Sequence, residues 1–313
     1  MTNFQLTVNA VVPMFLLIAV GYLSRRLGAL SREEVPRVNR LAFRIFLPVQ
    51  LFYNVYQSNP GSSLNGRLIL YAVVGVLLVA GLSILGVKRL VRRQDWRGVI
   101  SQGIFRSNFV ILGLPIAQAL LPGDQLGPVT ILIAIVVPLF NFLAVSVLEG
   151  FRRGRVKTGE VLLEIAKNPL VIGSLIGILF RLLHLRLPAL LEQTAASIGS
   201  IATPLQLFLL GAFFRFDGLL RYGKPLAAVT VIKLFVTPAV FLTLGYLLGF
   251  RGAAFVGLMG VFASPTAVNS FTMVQQMKCG DEELAGDIVV STSAGSMFSF
   301  FLWILLFKTL GAF

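Results

Sequence analysis

Ten stretches of predominantly apolar residues run through this chain, each close to the length of about 20 residues that carries an α-helix across a bilayer. They lie near Val8–Leu23, Val38–Gln57, Leu68–Val87, Val99–Leu121 and Val129–Leu148, then near Leu170–Leu185, Ala195–Phe214, Leu226–Phe250, Ala253–Met277 and Leu284–Leu310. In 313 residues these segments leave only short connectors and no room for a soluble domain. They are too long for the strands of a membrane β-barrel and lack the strict alternation such strands need. Charged residues make up only 13% of the chain, about half the usual share of a soluble domain. The expected fold class is therefore an all-α polytopic membrane protein with ten transmembrane helices. The first stretch is read as a span and not as a cleaved signal, because no Lys or Arg precedes it and the first basic residue is Arg25.

A net charge of +14 invites a nucleic-acid reading, which the placement of the charges removes. Connectors after odd-numbered segments hold 19 of the 27 Lys and Arg residues, from Arg25, Arg26, Arg32, Arg37 and Arg40 through to Lys278. Those after even-numbered segments and the C-terminal end hold Arg67, Arg181, Arg186, Arg251 and Lys308, and three more lie within segments. Short basic loops stay cytoplasmic, so the expectation is a cell (inner) membrane protein with both termini on the non-cytoplasmic side. Membrane lipids are then partners of the basic face, and nucleic acid is not. A single His184 and a single Cys279 exclude a metal centre built from those ligands, and no cofactor is expected.

The chain also repeats itself. A shift of 156 residues brings Pro13 onto Pro169, Gly21 onto Gly177, and Pro48-Val-Gln-Leu-Phe52 onto Pro204-Leu-Gln-Leu-Phe208. With a two-residue insertion, Phe140-Asn-Phe142 falls on Phe298-Ser-Phe300. An odd number of spans per copy turns the second copy over, so the expected organisation is one five-helix repeat over residues 1–150, a short cytoplasmic connector over 151–167, and an inverted five-helix repeat over 168–313.

Segments 4 and 9 hold the most informative residues. Arg106-Ser-Asn-Phe-Val-Ile-Leu-Gly-Leu-Pro115 and Val261-Phe-Ala-Ser-Pro-Thr-Ala-Val-Asn269 each carry a mid-segment proline among small or polar neighbours. Proline interrupts a helix but suits the first turn of a new one. Gly113 gives slack before Pro115, and Ser264-Pro265 reads as an N-cap and first residue of a half-helix. Backbone freed in this way is tolerated in a membrane only where it meets protein or a polar cavity. The candidate binding residues are Asn108, Gly113, Pro115, Ser264, Pro265, Thr266 and Asn269, with Arg106 biasing the site towards anions. Asn141 and Gln50 are further polar candidates whose alternative role is to tie two helices together. Simple proline kinks, and a structurally paired Arg106, are the competing readings. Arg44 and Lys233 are expected to reach the headgroups, and Asp287 to cap segment 10 or pair with a cation. No carboxylate lies near the middle of a segment, which argues against coupling through one. Hydroxyls of Ser291-Thr-Ser293 and Ser296 leave Na⁺ open.

Taken in order, Val12-Pro13 to Gly21-Tyr22 with Arg25-Arg26-Leu-Gly28, Asn39-Arg-Leu-Ala-Phe43 running into Leu47-Pro48, Asn108 with Gly113-Leu-Pro115, Ser264-Pro265 and Ser291-Thr-Ser293 resemble the auxin efflux carrier family along the whole chain. That family includes plant exporters and bacterial proteins described as malonate or other organic-anion permeases. The resemblance implies segments 1, 2, 6 and 7 as a dimerising scaffold. It implies segments 3 to 5 and 8 to 10 as a moving transport domain whose segments 4 and 9 cross at broken helices. The long hydrophilic central loop of the plant exporters is missing, because only residues from Gly150 to about Lys167 separate the halves. The function expected is secondary transport of small organic anions by an elevator-type movement, in a homodimer and with no enzymatic activity. A solute-sensing receptor on a carrier fold is the alternative. An intramembrane enzyme is disfavoured by the lack of paired carboxylates, a metal cluster or an activated nucleophile.

Overall fold

The computed structural model describes residues 3–31, 33–57, 65–121, 125–152, 163, 166–213 and 222–313. Arg32, Arg153, Arg155, Lys157, Arg215 and Arg221 of the basic connectors, and most of the 151–167 connector, lie outside the described residues. Within them the chain is helical throughout, with no named strand. The first half comprises α1 (Asn3–Arg26), α2 (Glu34–Leu41), α3 (Leu47–Gln57), α4 (Gly66–Leu90), α5 (Gln94–Phe105), α6 (Leu114–Leu120) and α7 (Gly127–Arg152). The second comprises α8 (Pro169–Leu182), α9 (Ala189–Phe213), α10 (Gly223–Val231), α11 (Thr237–Leu247), α12 (Gly252–Phe262), α13 (Asn269–Met277) and α14 (Glu282–Thr309).

Helix starts follow local chemistry. Asn65 accepts from the Leu68 amide to open α4, and Asn168 accepts from Leu170 ahead of Pro169 in α8. Segment 10 is capped by Asp281, which accepts from the Leu284 amide, and not by Asp287, which is buried further along the same helix. Among the described residues, five continuous helical stretches are long and apolar enough to cross a membrane: Gly66–Leu90, Gly127–Arg152, Ala189–Phe213, Gly223–Leu247 and Glu282–Thr309. One face of α4 buries Leu68, Ala72, Val76 and Val79, while Leu70, Val74, Leu78, Leu82 and Leu85 on the other are exposed. An apolar surface of that kind is stable against lipid and not against water.

Among the described residues three turns of π-helix, Ala42–Phe46, Phe109–Gly113 and Ile232–Val236, each end two residues before a proline: Pro48, Pro115 and Pro238. In each, the amide of the intervening residue reaches back five positions, Leu47 to Ala42, Leu114 to Phe109 and Thr237 to Ile232. A proline cannot donate to the carbonyl four residues earlier and its ring crowds that carbonyl. Widening the preceding turn absorbs both problems without breaking the helix. The chain is therefore continuous through Gly113–Pro115, contrary to the expectation of a break there.

Two seams hold the halves together. Helix α1 packs along α9, and α3 along α8. A Cβ placed on Gly21 would stand 1.9 Å from the Phe208 carbonyl oxygen, and one on Gly177 would stand 2.8 Å from that of Phe52. Glycine is required at both positions because helix backbones meet there directly. The two pairs exchange under the same shift of 156 residues, Gly21 with Gly177 and Phe52 with Phe208. Gly21→Val and Gly177→Val are each expected to cost about 1–3 kcal/mol through overpacking. Gly81→Val, which meets no neighbour within 4 Å, is the control. Thermal unfolding in detergent checks the ranking, and equal melting temperatures for all three would refute it.

Candidate functional site

Segments 4 and 9 are both cut near their middles. Helix α5 ends at Phe105, the chain leaves the helix with Arg106 extended, and helical structure resumes only with the π turn at Phe109. Helix α12 ends at Phe262 and α13 starts only at Asn269. The two gaps lie side by side: Ser107 and Thr266 form an antiparallel bridge, and the Asn108 amide donates to the Pro265 carbonyl at 2.8 Å. Hydroxyl groups cover the carbonyls left over. Pro265 has no hydrogen to give the Val261 carbonyl, and the Ser107 hydroxyl donates there instead. Thr266 Oγ1 donates to Gly103 at 2.7 Å, and Ser264 Oγ donates backwards to Gly260 at 2.7 Å. Ser264 thus closes the end of α12 and does not cap α13, whose N-cap, Val268, makes no side-chain bond. Gly113 allows close approach and not slack, since a Cβ there would stand 2.9 Å from the Gly260 Cα.

Two cations are buried at this crossing. Arg106 is 2% exposed and Lys233 1%. Lys233 donates to the Ser107 hydroxyl at 2.6 Å, so it faces the bridge and not the headgroups, whereas Arg44 is exposed as expected. The guanidinium donates from Nη1 to Gln102 Oε1 at 3.3 Å and to the Met273 sulfur, and from Nη2 to Asn141 Oδ1. Among the described residues no carboxylate forms an ion pair with either cation; the ion pairs found are Arg93–Asp95 and Arg152–Glu149.

A small cavity of about 50 Å³ opens beside the break. Arg106, Asn108, Asn141, Asn269 and Gln50 of the sequence candidates line it, together with Ser107, Asn54 and Gln206. Gly113, Pro115, Ser264, Pro265 and Thr266 do not; they build the crossing behind it. The remaining wall is apolar, from Leu51, Phe109, Val110, Ile111, Val137, Phe140 and Ala267. The Asn108 and Asn141 side-chain NH₂ groups and Gln206 Oε1 are buried without a protein partner. Gln206, Asn54 and Ser107 are the polar lining residues missed in the sequence, although Gln206 stands on Gln50 in the 156-residue correspondence.

Comparison with known proteins places this architecture. The sequence profile described as "Membrane transport protein" matches residues 6–153 and 152–304. The chain belongs to that family. It is 24% identical over 289 residues to a putative malonate transporter of Rhizobium meliloti, covering 90% of each chain. It is 22% identical over 311 residues to an uncharacterized transporter of Methanocaldococcus jannaschii, covering 96% of this chain and all of the other. Auxin efflux carrier component 8 of Arabidopsis thaliana is 22% identical over 341 residues, covering 90% and 92%. The resemblance to auxin efflux carriers holds, and the protein is a multi-pass membrane transport protein.

Ser107 is expected to be central to the crossing. Ser107→Ala removes the donor to Val261 and the acceptor of Lys233, and should cost about 1–3 kcal/mol. Lys233→Met in the same chain should recover part of that loss by removing the stranded ammonium. Thermal unfolding of the single and double variants measures the coupling, and strictly additive losses would refute it.

Proposed function

We propose that the protein is a secondary transporter of small organic anions, mono- or dicarboxylates of the auxin or malonate kind, and not an enzyme. The observation that carries this reading is the Arg106 guanidinium, buried beside the cavity with no carboxylate partner among the described residues and flanked by two amide NH₂ groups that bond to nothing in the protein. A buried cation without a counter-charge costs several kcal/mol. A carboxylate entering the cavity supplies the charge and accepts the idle hydrogens. Carriage of a malonate by one relative and of auxin by another, as their names say, supports the same chemistry.

The working arrangement proposed is ten spans in two oppositely oriented five-span repeats, residues 1–150 and 168–313 joined by 151–167. The reciprocal Gly21–Phe208 and Gly177–Phe52 contacts support it. Helices α1, α3, α8 and α9 act as the scaffold of a homodimer, and the helices around the crossing move past them, carrying the anion in an elevator-type step. The protein sits in the cell (inner) membrane with both termini on the non-cytoplasmic side, the distribution of Lys and Arg being the support. In proteoliposomes, saturable uptake of labelled malonate or of a monocarboxylate is expected. Arg106→Gln should lower it at least about tenfold, the worth of one charge-assisted hydrogen bond, and Asn108→Ala should lower it as well. Unchanged uptake in both variants would remove the site assignment. Saturable binding without flux would replace the carrier by a sensor.

A further inference from the structure

The walls of the cavity differ in kind. On the side of the broken helices and α7, hydrogen-bond donors are left over. Asn141 gives its Oδ1 to Arg106, which turns its NH₂ away from the guanidinium and leaves it unpaired. Asn108 also keeps an unpaired NH₂, and three of the five N–H groups of Arg106 are engaged. On the side of α3 and α9, where Asn54 also lines the cavity, the two glutamines commit their donors elsewhere. Gln206, 1% exposed, donates its NH₂ to the Ala202 carbonyl at 3.0 Å, and its Oε1 is left without a donor. Rotating that amide would set two carbonyl oxygens against each other, so the acceptor is fixed. Gln50, its counterpart 156 residues earlier, likewise commits its NH₂, to Thr203 Oγ1 at 2.7 Å.

A plain carboxylate satisfies only the first wall. Leaving a buried acceptor unpaired is unfavourable, and a second, fully ionised carboxylate would meet the Gln206 carbonyl oxygen of like partial charge. We infer that the solute is a carboxylate monoanion carrying an O–H or N–H donor at its far end: a hydroxy acid, an amide acid or a half-protonated dicarboxylic acid. Arg106, Asn108 and Asn141 take the charged end, and Gln206 Oε1, with Gln50 beside it, reads the donor. This rests on the organic-anion reading above and narrows it. Gln206 is then a specificity residue contributed by the scaffold, while the groups holding the charge belong to the part proposed to move.

Malonamate and monomethyl malonate test this. Both are monoanions at pH 7 on the same carbon skeleton, and only the amide offers a donor. Calorimetric titration of the purified protein in detergent should give malonamate an affinity roughly tenfold above the ester. Gln206→Leu, with Gln206→Met as a second variant of similar bulk, should abolish the preference, bringing the affinities for the two compounds to within about threefold of each other. Arg106→Gln should weaken both. Equal affinity of the parent protein for the two compounds overturns the inference without recourse to any variant. A preference that survives in both Gln206 variants overturns the assignment to that residue. If neither compound binds the parent protein, the anion reading falls with it; equal binding that Arg106→Gln abolishes leaves that reading standing and removes only this one.

Discussion

Where a helix stops in hydrocarbon, its backbone must find hydrogen bonds within the protein, and in this molecule two stopped helices find them in each other. The bridge between Ser107 and Thr266, with the Asn108 amide on the Pro265 carbonyl, is the only point among the described residues where extended backbone pairs with extended backbone. Everything at the site follows from it. The gap in one segment is tolerable because the other gap lies alongside, and the hydroxyls of Ser107, Ser264 and Thr266 cover carbonyls that neither segment can reach. The crossing also fixes the path of the chain at Arg106, whose side chain leaves the backbone at the first non-helical residue.

The energetic consequence is a crossing with two buried cations and no carboxylate in ion-pair contact with either among the described residues. Lys233 is anchored through Ser107, Arg106 through Gln102 and Asn141, and neither has an acidic neighbour in ion-pair contact among the described residues. Amide and hydroxyl dipoles soften this imbalance, and a transported anion would complete it. The interruption is not a simple proline kink, and Arg106 is held by Gln102, Asn141 and Met273 without an ion-pair partner among the described residues.

Much of this was legible in the residues. Apolar run lengths located the helices, and Ser264-Pro265-Thr266 marked a real interruption, because Pro265 denies a hydrogen to Val261 whatever surrounds it. Segment 4 was misleading for a physical reason. Its visible breaker, Gly113-Leu-Pro115, is absorbed by a π turn, as are Pro48 and Pro238, while the true gap at Arg106–Asn108 contains neither glycine nor proline and exists through its partner in segment 9. Lys233 was misplaced for a similar reason: distance from the basic face says nothing of which way the stem points. Gln206 stood in plain view opposite Gln50 in the repeat. An amide in an apolar helix names no neighbour until the rotation of that helix is known.

The seams between the halves have a further implication. The contacts Gly21–Phe208, Gly211–Ile18, Gly173–Pro48 and Gly177–Phe52 each set a glycine of one half on a carbonyl of the other, and three of these four glycines belong to the second half. The first half, made first, therefore carries the Gly21 notch of α1 and bare carbonyls on α1 and α3 before the helices that cover them exist. Both edges close only once α8 and α9 have been made.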